Sequence, residues 1–348
     1  MKRTLFYGLL VAALIMPAFA EGQKDAGKPA ASGGAVTEYP AMVLKLGHIA
    51  DPSHPYAKGA EKWAELVKAK TGGKVEIQVF HSSQLGDQKT LIEGLVYGTI
   101  DMALVGTAAL TQFQPQMGIF DLPFLFDDRD HAFRSLDTVG MDIGKALEPK
   151  GIKLLGYMEN GIRHMTNNTR EIKTPDDMKG LKIRVQTSKI FIEMMKAMGA
   201  SPTPMGMGEL YSAMQNGTVD GQENPSAHIF TQRYYEVQKY ASKTAHAYAP
   251  EPVLVSLAKW NGLPESVRTV IADSAKEAIV WQRQLSTQED DDLWAKIIAT
   301  GKMKVTEVDR KPFQTITAPV IEMFADSVGR GNLAKIDALR KKDRKSVV

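Results

Sequence analysis

The residues best placed to do chemistry lie in 182–225, which reads KIRV, then a helical run, then ELYSAMQNGTVDGQENP. In LKIRVQ the apolar Leu181, Ile183 and Val185 alternate with Lys182 and Arg184. That period of two predicts a strand with Arg184 on its polar side, near the carboxyl end. A guanidinium there offers a planar fork of donors that matches a carboxylate. On pattern alone, a surface salt bridge accounts for Arg184 equally well. Arg163, in ENGIRHMTN, follows a second predicted strand at 152–157, and two arginines meeting in a cleft would suit an organic acid. Neither end of 182–225 carries a nucleophile, a metal-ligand set or a phosphate loop. The chemistry implied is an anion gripped and released unchanged.

Other chemistry finds little footing. The chain has no G-x-S-x-G, H-E-x-x-H or G-x-x-x-x-G-K-[ST] motif. Gly206-Met207-Gly208 begins a dinucleotide fingerprint, but Tyr211 stands where its third glycine belongs. The G-x-G-x-x-A match at 329–334 follows a helical run rather than a strand. Asp290, Asp291 and Asp292 face different directions on a helix and read as a solvated face. The methionines at 194–214 read as core filling. Seven histidines are scattered, and none is paired at ligand spacing with a nearby carboxylate. His48 follows the strand-ending Gly47; it either lines a cleft or is a loop histidine without a role. With no cysteine, the chain has no disulfide, no thiol nucleophile and no site for a lipid on an N-terminal cysteine. No cofactor is implied.

The elements that must position these residues read as α/β. Residues 1–20 have the form of a cleavable secretory signal: Lys2 and Arg3, an apolar run, then Ala18-Phe19-Ala20. Residues 21–38 form a Gly-, Ala-, Lys- and Ser-rich linker. Strands are predicted from the alternation in MVLKLGHI and in Val75, Ile77 and Val79, and again at 100–105. Ala60, Trp63, Leu66 and Val67 recur at helical spacing, and residues 91–97 form a second helix with Gly98 able to cap it. Strands alternating with helices imply a mostly parallel sheet. A faint repeat, GKVEIQV…GTID and GLKIRV…GTVD, suggests two similar lobes with a ligand cleft between them. Residues 264–299 predict one long helix lying across both lobes, or two helices broken near Ser286-Thr287. The net charge of +3 falls to +1 without Lys2 and Arg3, and only the tail at 340–345 is strongly basic. It reads as a solvated end, and no nucleic-acid partner is implied.

At this point the residues are similar to a known family. The chain resembles the solute-binding proteins of TRAP transporters, of the DctP type, over about residues 42–330. The motifs include LGH at 46–48, FHSSQLGDQ at 80–88, DLPFLF at 121–126, ENGIRHMTN at 159–167 and the run at 209–225. The resemblance implies a periplasmic, two-lobed α/β binding protein of type II-like architecture. Lobe I would hold 39–160 plus 250–289, and lobe II 161–249 plus 290–348. It implies a monomer that closes on an organic acid and delivers it to the membrane subunits of an ion-gradient-driven permease. It implies Arg184 as the carboxylate clamp, supported by Arg163 and Asn224, with Gln88 facing the ligand. Met207 stands where the family often has an aromatic wall, and His81 where it usually has proline. His48, Thr107 and Glu159 are polar candidates for ligand hydroxyls, which leans the substrate toward a sugar acid such as a uronate, otherwise a C4-dicarboxylate. The alternatives are an exported enzyme acting on acidic sugars, which needs an acid and a base near Arg184, and a receptor for a membrane sensor.

Overall fold

The computed structural model describes residues 38–340. The expected signal at 1–20, the expected linker up to residue 37 and the basic tail beyond Arg340 lie outside the described residues. The strands are β1 (Met42–Gly47), β2 (Val75–Phe80), β3 (Met102–Leu104), β4 (Ile152–Asn167), β5 (Lys182–Val185), β6 (Ser201–Pro204), β7 (Gly221–Asn224), β8 (Tyr240–Ser256) and β9 (Lys304–Glu307). They form one sheet in the order β2-β1-β3-β8-β4-β7-β5-β6, with β9 beside β8. Two half-sheets are built alike. β2-β1-β3 is parallel and meets β8 in antiparallel fashion; β6-β5-β7 is parallel and meets β4 the same way. The sheet is mixed rather than mostly parallel because β4 and β8 cross its middle, paired antiparallel with three shifts of register. The strand predicted at 152–157 runs on to Asn167 through polar residues that nonetheless lie almost wholly buried.

The repeat is real, but its alignment differs from the one read in sequence. Gly98 and Gly217 each take a left-handed conformation past a helix, with φ of 73° and 70°. Asp101 then accepts the Lys45 backbone N–H at 2.8 Å, and Asp220 accepts that of Lys182 at 2.7 Å. The counterpart of KIRV is therefore β1, not GKVEIQV in β2. The counterpart of β2 is β6, whose sequence SPTP gives no alternation. Pro202 and Pro204 are tolerated there because β6 is an edge strand, where a ladder N–H is dispensable.

The long helix is continuous from Glu265 to Ala299, 35 residues or about 52 Å at 1.5 Å per residue. Its first half packs Val267, Ile271, Ala275 and Ala278 against the helix Pro55–Lys70, which buries Tyr56, Ala60, Trp63 and Val67. Burying each large apolar side chain contributes about 1.5–3 kcal/mol. The Trp63 indole N–H also donates to the Ile271 carbonyl at 3.0 Å. Farther along, Trp294 and Ile297 join a separate cluster with Leu210, Met214 and Ile229 of the other half. No break occurs at Ser286-Thr287 because both hydroxyls are satisfied within the helical geometry. Ser286 donates to the Glu159 carboxylate at 3.1 Å, and Thr287 donates back to the Arg283 carbonyl at 2.8 Å. The methionines Met194, Met195 and Met198 are buried in the largest cluster and Met214 in the smaller one. Among the described residues no helix is long and apolar enough to cross a membrane.

Candidate functional site

The chemistry gathers where the carboxyl ends of the two parallel half-sheets face each other, as expected for ligand sites in such sheets. Ile49 follows β1 and Gly106 follows β3 on one side; Arg184 on β5 and Asn224 on β7 come from the other; Asn160 on β4 and Glu251 on β8 form part of the wall between. They line a narrow chamber with a cavity volume of about 10 Å³. It opens into an outer cleft of about 180 Å³ that shares Gln88, Arg184, Gln186 and Met207 with it.

Arg184 is buried at the end of its strand, with only 3% of its surface exposed. Its Nε and Nη2 donate to the Met205 carbonyl at 3.0 and 2.8 Å, which fixes the guanidinium plane. Nη1 is buried, has no hydrogen-bond partner, and belongs to a side chain lining the chamber. Burial pulls this guanidinium down from its usual value, and Arg163 adds to the effect, yet an arginine so far above neutrality stays charged. The side edge of the fork is therefore taken by Met205, and the Nη1 end is what an incoming carboxylate can meet.

Arg163 also lines the chamber, but its Nε and Nη2 hold the Glu223 carboxylate, and Nη2 further donates to Asn224 Oδ1 at 3.1 Å. Both partners are fully buried. Burial would raise the Glu223 carboxyl, but Arg163 and the neighbouring His246 outweigh it and hold it below the usual carboxylate range. Asn224 in turn donates to Gln222 Oε1 at 2.6 Å. Gln88 opens the helix Gln88–Tyr97 and accepts the Gly106 N–H at 2.8 Å. Gly106 has an ordinary φ of −62°, so its freedom is not the point; space is. A Cβ there would stand 3.2 Å from Gln88 Oε1 and 3.7 Å from Glu251 Oε2.

Three of the residues read from sequence have other occupations. Glu159 faces away from the chamber: it accepts from Arg129 Nε, Ser286 and Tyr248 at 2.9–3.1 Å and binds β4 to the long helix. Arg129 goes on to Asp290, which also accepts from Ser226, so Asp290 is an internal acceptor while Asp291 and Asp292 stay exposed. Thr107 lies in a smaller adjoining space and donates to Asp121 at 2.8 Å. His48 stands behind the chamber, its Nδ1 accepting the Ala50 N–H. The histidines scattered in sequence partly converge there. The rings of His48 and His81 lie 4.9 Å apart and those of His54 and His228 4.2 Å apart, with Tyr56 among them. Among the described residues no three histidine or acidic groups are placed to hold a metal ion.

Sequence reasoning missed Gln186, Asn160, His228 and Glu251, all of which line the chamber. Gln186 was within reach, since it alternates with Arg184. His228 lies in the short helix Ser226–Thr231 that follows Asn224; both its ring nitrogens are buried without partners, and burial, then Arg163 and Arg184, push it down to about 3, a neutral ring. Glu251, in APEPVLV, gives no periodic signal because every residue around it is buried. Burial pushes its carboxyl up to about 8 against the opposing pull of Asn160 and Arg163.

Comparison with known proteins finds relatives over most of the chain. The sequence profile described as "Bacterial extracellular solute-binding protein, family 7" matches residues 46–327. The chain is 36% identical over 293 residues to the 2,3-diketo-L-gulonate-binding periplasmic protein YiaO of Escherichia coli (strain K12), covering 84% of this chain and 89% of that protein. It is 33% identical over 305 residues to the C4-dicarboxylate-binding periplasmic protein DctP of Rhodobacter capsulatus, covering 85% and 90%. The crystal structure of the sugar acid binding protein DctPAm from Advenella mimigardefordensis, in complex with galactonate, superposes with a TM-score of 0.84 at 32% identity, covering 87% of this chain and 99% of that one. All three are named as binding proteins. With the family profile spanning most of its length, the chain belongs to the DctP family of bacterial extracellular solute-binding proteins.

Proposed function

We propose that the chain is the periplasmic receptor of a TRAP transporter, and that it captures an organic acid by one carboxylate and passes it to the membrane permease. One observation carries this reading: Arg184 presents a buried, unpartnered Nη1 in a chamber where the other arginine is already neutralised by Glu223. A carboxylate entering there gains a charge-assisted hydrogen bond without having to break an ion pair. The acid is a sugar acid such as a uronate, otherwise a C4-dicarboxylate. The receptor works as a monomer, without a cofactor or nucleic acid. Residues 39–160 with 250–289 and residues 161–249 with 290–348 act as the two lobes that close on it. The ligand leaves unchanged. A thermal-shift screen across organic acids tests the reading: a ligand at 100 times its Kd adds about 2.7 kcal/mol to stability, an easily measured rise in Tm. If no sugar acid, hydroxy acid or dicarboxylate at millimolar concentration raises Tm, the reading fails.

A further inference from the structure

We infer that Glu251 makes the chamber selective for a hydroxylated monocarboxylate and against a dicarboxylate. The inference rests on the organic-acid reading above and concerns the end of the ligand that Arg184 does not hold.

The first argument is a count of charge among the groups lining the chamber. Arg163 is answered by Glu223, so Arg184 is the lining cation left to receive an anion. One carboxylate balances it. A second carboxylate would enter as an uncompensated buried charge, and the lining acid it would meet is Glu251, 1% exposed and with no basic side chain within ion-pair distance among the described residues. Once Glu251 is ionised, above about pH 8, two carboxylates sharing this buried site cannot both keep their charge without cost.

The second argument is the chemistry of the wall. Around the Cβ position of Gly106 three oxygens converge: Gln88 Oε1 at 3.2 Å, Glu251 Oε2 at 3.7 Å and Gln186 Oε1 at 3.8 Å. The Gln88 oxygen is oriented by the Gly106 N–H that donates to it. Asn160 donates Nδ2 to Glu251 at 3.2 Å and leaves its own Oδ1 buried without a partner. With Glu251 ionised, this corner thus offers acceptors. A ligand hydroxyl can donate to them, whereas a carboxylate can only accept. A wall built to hydrogen-bond hydroxyls rejects the analogue that lacks them, because its buried polar atoms are then left unpaired. Hydroxyls on the carbons beyond the Arg184-bound carboxylate are what the corner reads.

Calorimetric titration of the wild type and of Glu251→Gln with D-galactonate, D-glucuronate, D-erythronate and succinate, all at pH 9 where Glu251 is ionised, tests this. The quantity read is the ratio of the succinate Kd to the Kd of the tightest hydroxylated acid. Both are measured on one preparation, so a partly folded variant does not distort it. The wild type should favour the hydroxylated acid at least tenfold. Glutamine keeps the shape, removes the charge and adds a donor for a carboxylate, so the ratio should shrink about tenfold, the equivalent of one pKa unit of relieved repulsion. A wild type that binds succinate as tightly as any of the other three, or a ratio that moves less than threefold in the variant, overturns the role of Glu251 while leaving the organic-acid reading intact. A wild type that binds none of the four at millimolar concentration overturns both.

Discussion

Replacing Arg163 by methionine should cost stability more than it costs recognition. Arg163 and Glu223 are 1% and 0% exposed, and the guanidinium holds both carboxylate oxygens, the Glu223 carbonyl and Asn224 Oδ1. Methionine fills the space of the aliphatic stem but leaves Glu223 ionisable in the interior, with His246 Nε2 at 3.3 Å as the remaining close group. Removing one partner of a buried pair costs about 3–5 kcal/mol. For a body of about 300 residues that corresponds to a Tm lower by about 5–8 °C. Urea unfolding followed by circular dichroism measures it. The double variant Arg163→Met with Glu223→Gln should recover most of the loss, since no charge is then stranded. The ligand affinity of that double variant should fall far less than that of an Arg184 variant. A single variant within about 1 kcal/mol of wild type, or a double variant no better than the single, would refute the idea that this pair is a neutral, structural unit of the wall.

Three further outcomes follow from the same geometry. Gly106→Leu should abolish ligand binding and lower stability by about 1–3 kcal/mol, because φ is ordinary there but a Cβ already stands 3.2 Å from Gln88 Oε1; calorimetry that still detects wild-type affinity in the folded variant would show that the ligand lies elsewhere. Glu159→Ala should lower stability by about 2–3 kcal/mol, through the lost bonds to Arg129, Ser286 and Tyr248 while Arg129 keeps Asp290, yet leave Kd within a few-fold of wild type; a hundredfold weaker Kd would return Glu159 to the binding wall. Glu251 titrates near 8 when folded against a usual 4.5, so its stabilising contribution is full below 4.5 and is lost progressively up to about 8. Without ligand, Glu251→Gln should therefore gain on the wild type by up to about 1.4 kcal/mol per pH unit across that window and level off above it; a gap that stays constant from pH 5 to 9 would contradict the raised carboxyl.

How much of this was legible in the sequence depends on the range of the contacts involved. Arg184 was readable because the alternation in KIRV is local, and the long helix because Pro264 and the following stretch without glycine or proline are local too. The repeat was visible in GTID and GTVD, since each glycine makes a local left-handed turn, although the aspartates reach strands 56 and 38 residues away. Its correct alignment was not, because β6 reads SPTP and owes its existence to β5 alongside it. Glu159 was misplaced, and Glu251 missed, for one reason: both sit in central strands buried on both faces, where alternation no longer tells which side a residue takes. The four histidines near the chamber come together from positions 48, 54, 81 and 228, which no window along the chain can relate.

The central claim is that a buried Arg184 Nη1 receives the carboxylate of the ligand. Calorimetric titration of Arg184→Ala and Arg184→Lys, with whichever organic acid the thermal screen identifies, tests it most directly. A hydrogen bond to a charged group contributes about 1.5–3 kcal/mol, and a carboxylate on the end of a guanidinium takes the upper part of that range. Alanine should thus weaken binding about a hundredfold, and lysine, lacking the fork, should restore only part of it. Retained folding by circular dichroism together with an unchanged Kd for Arg184→Ala would contradict the account.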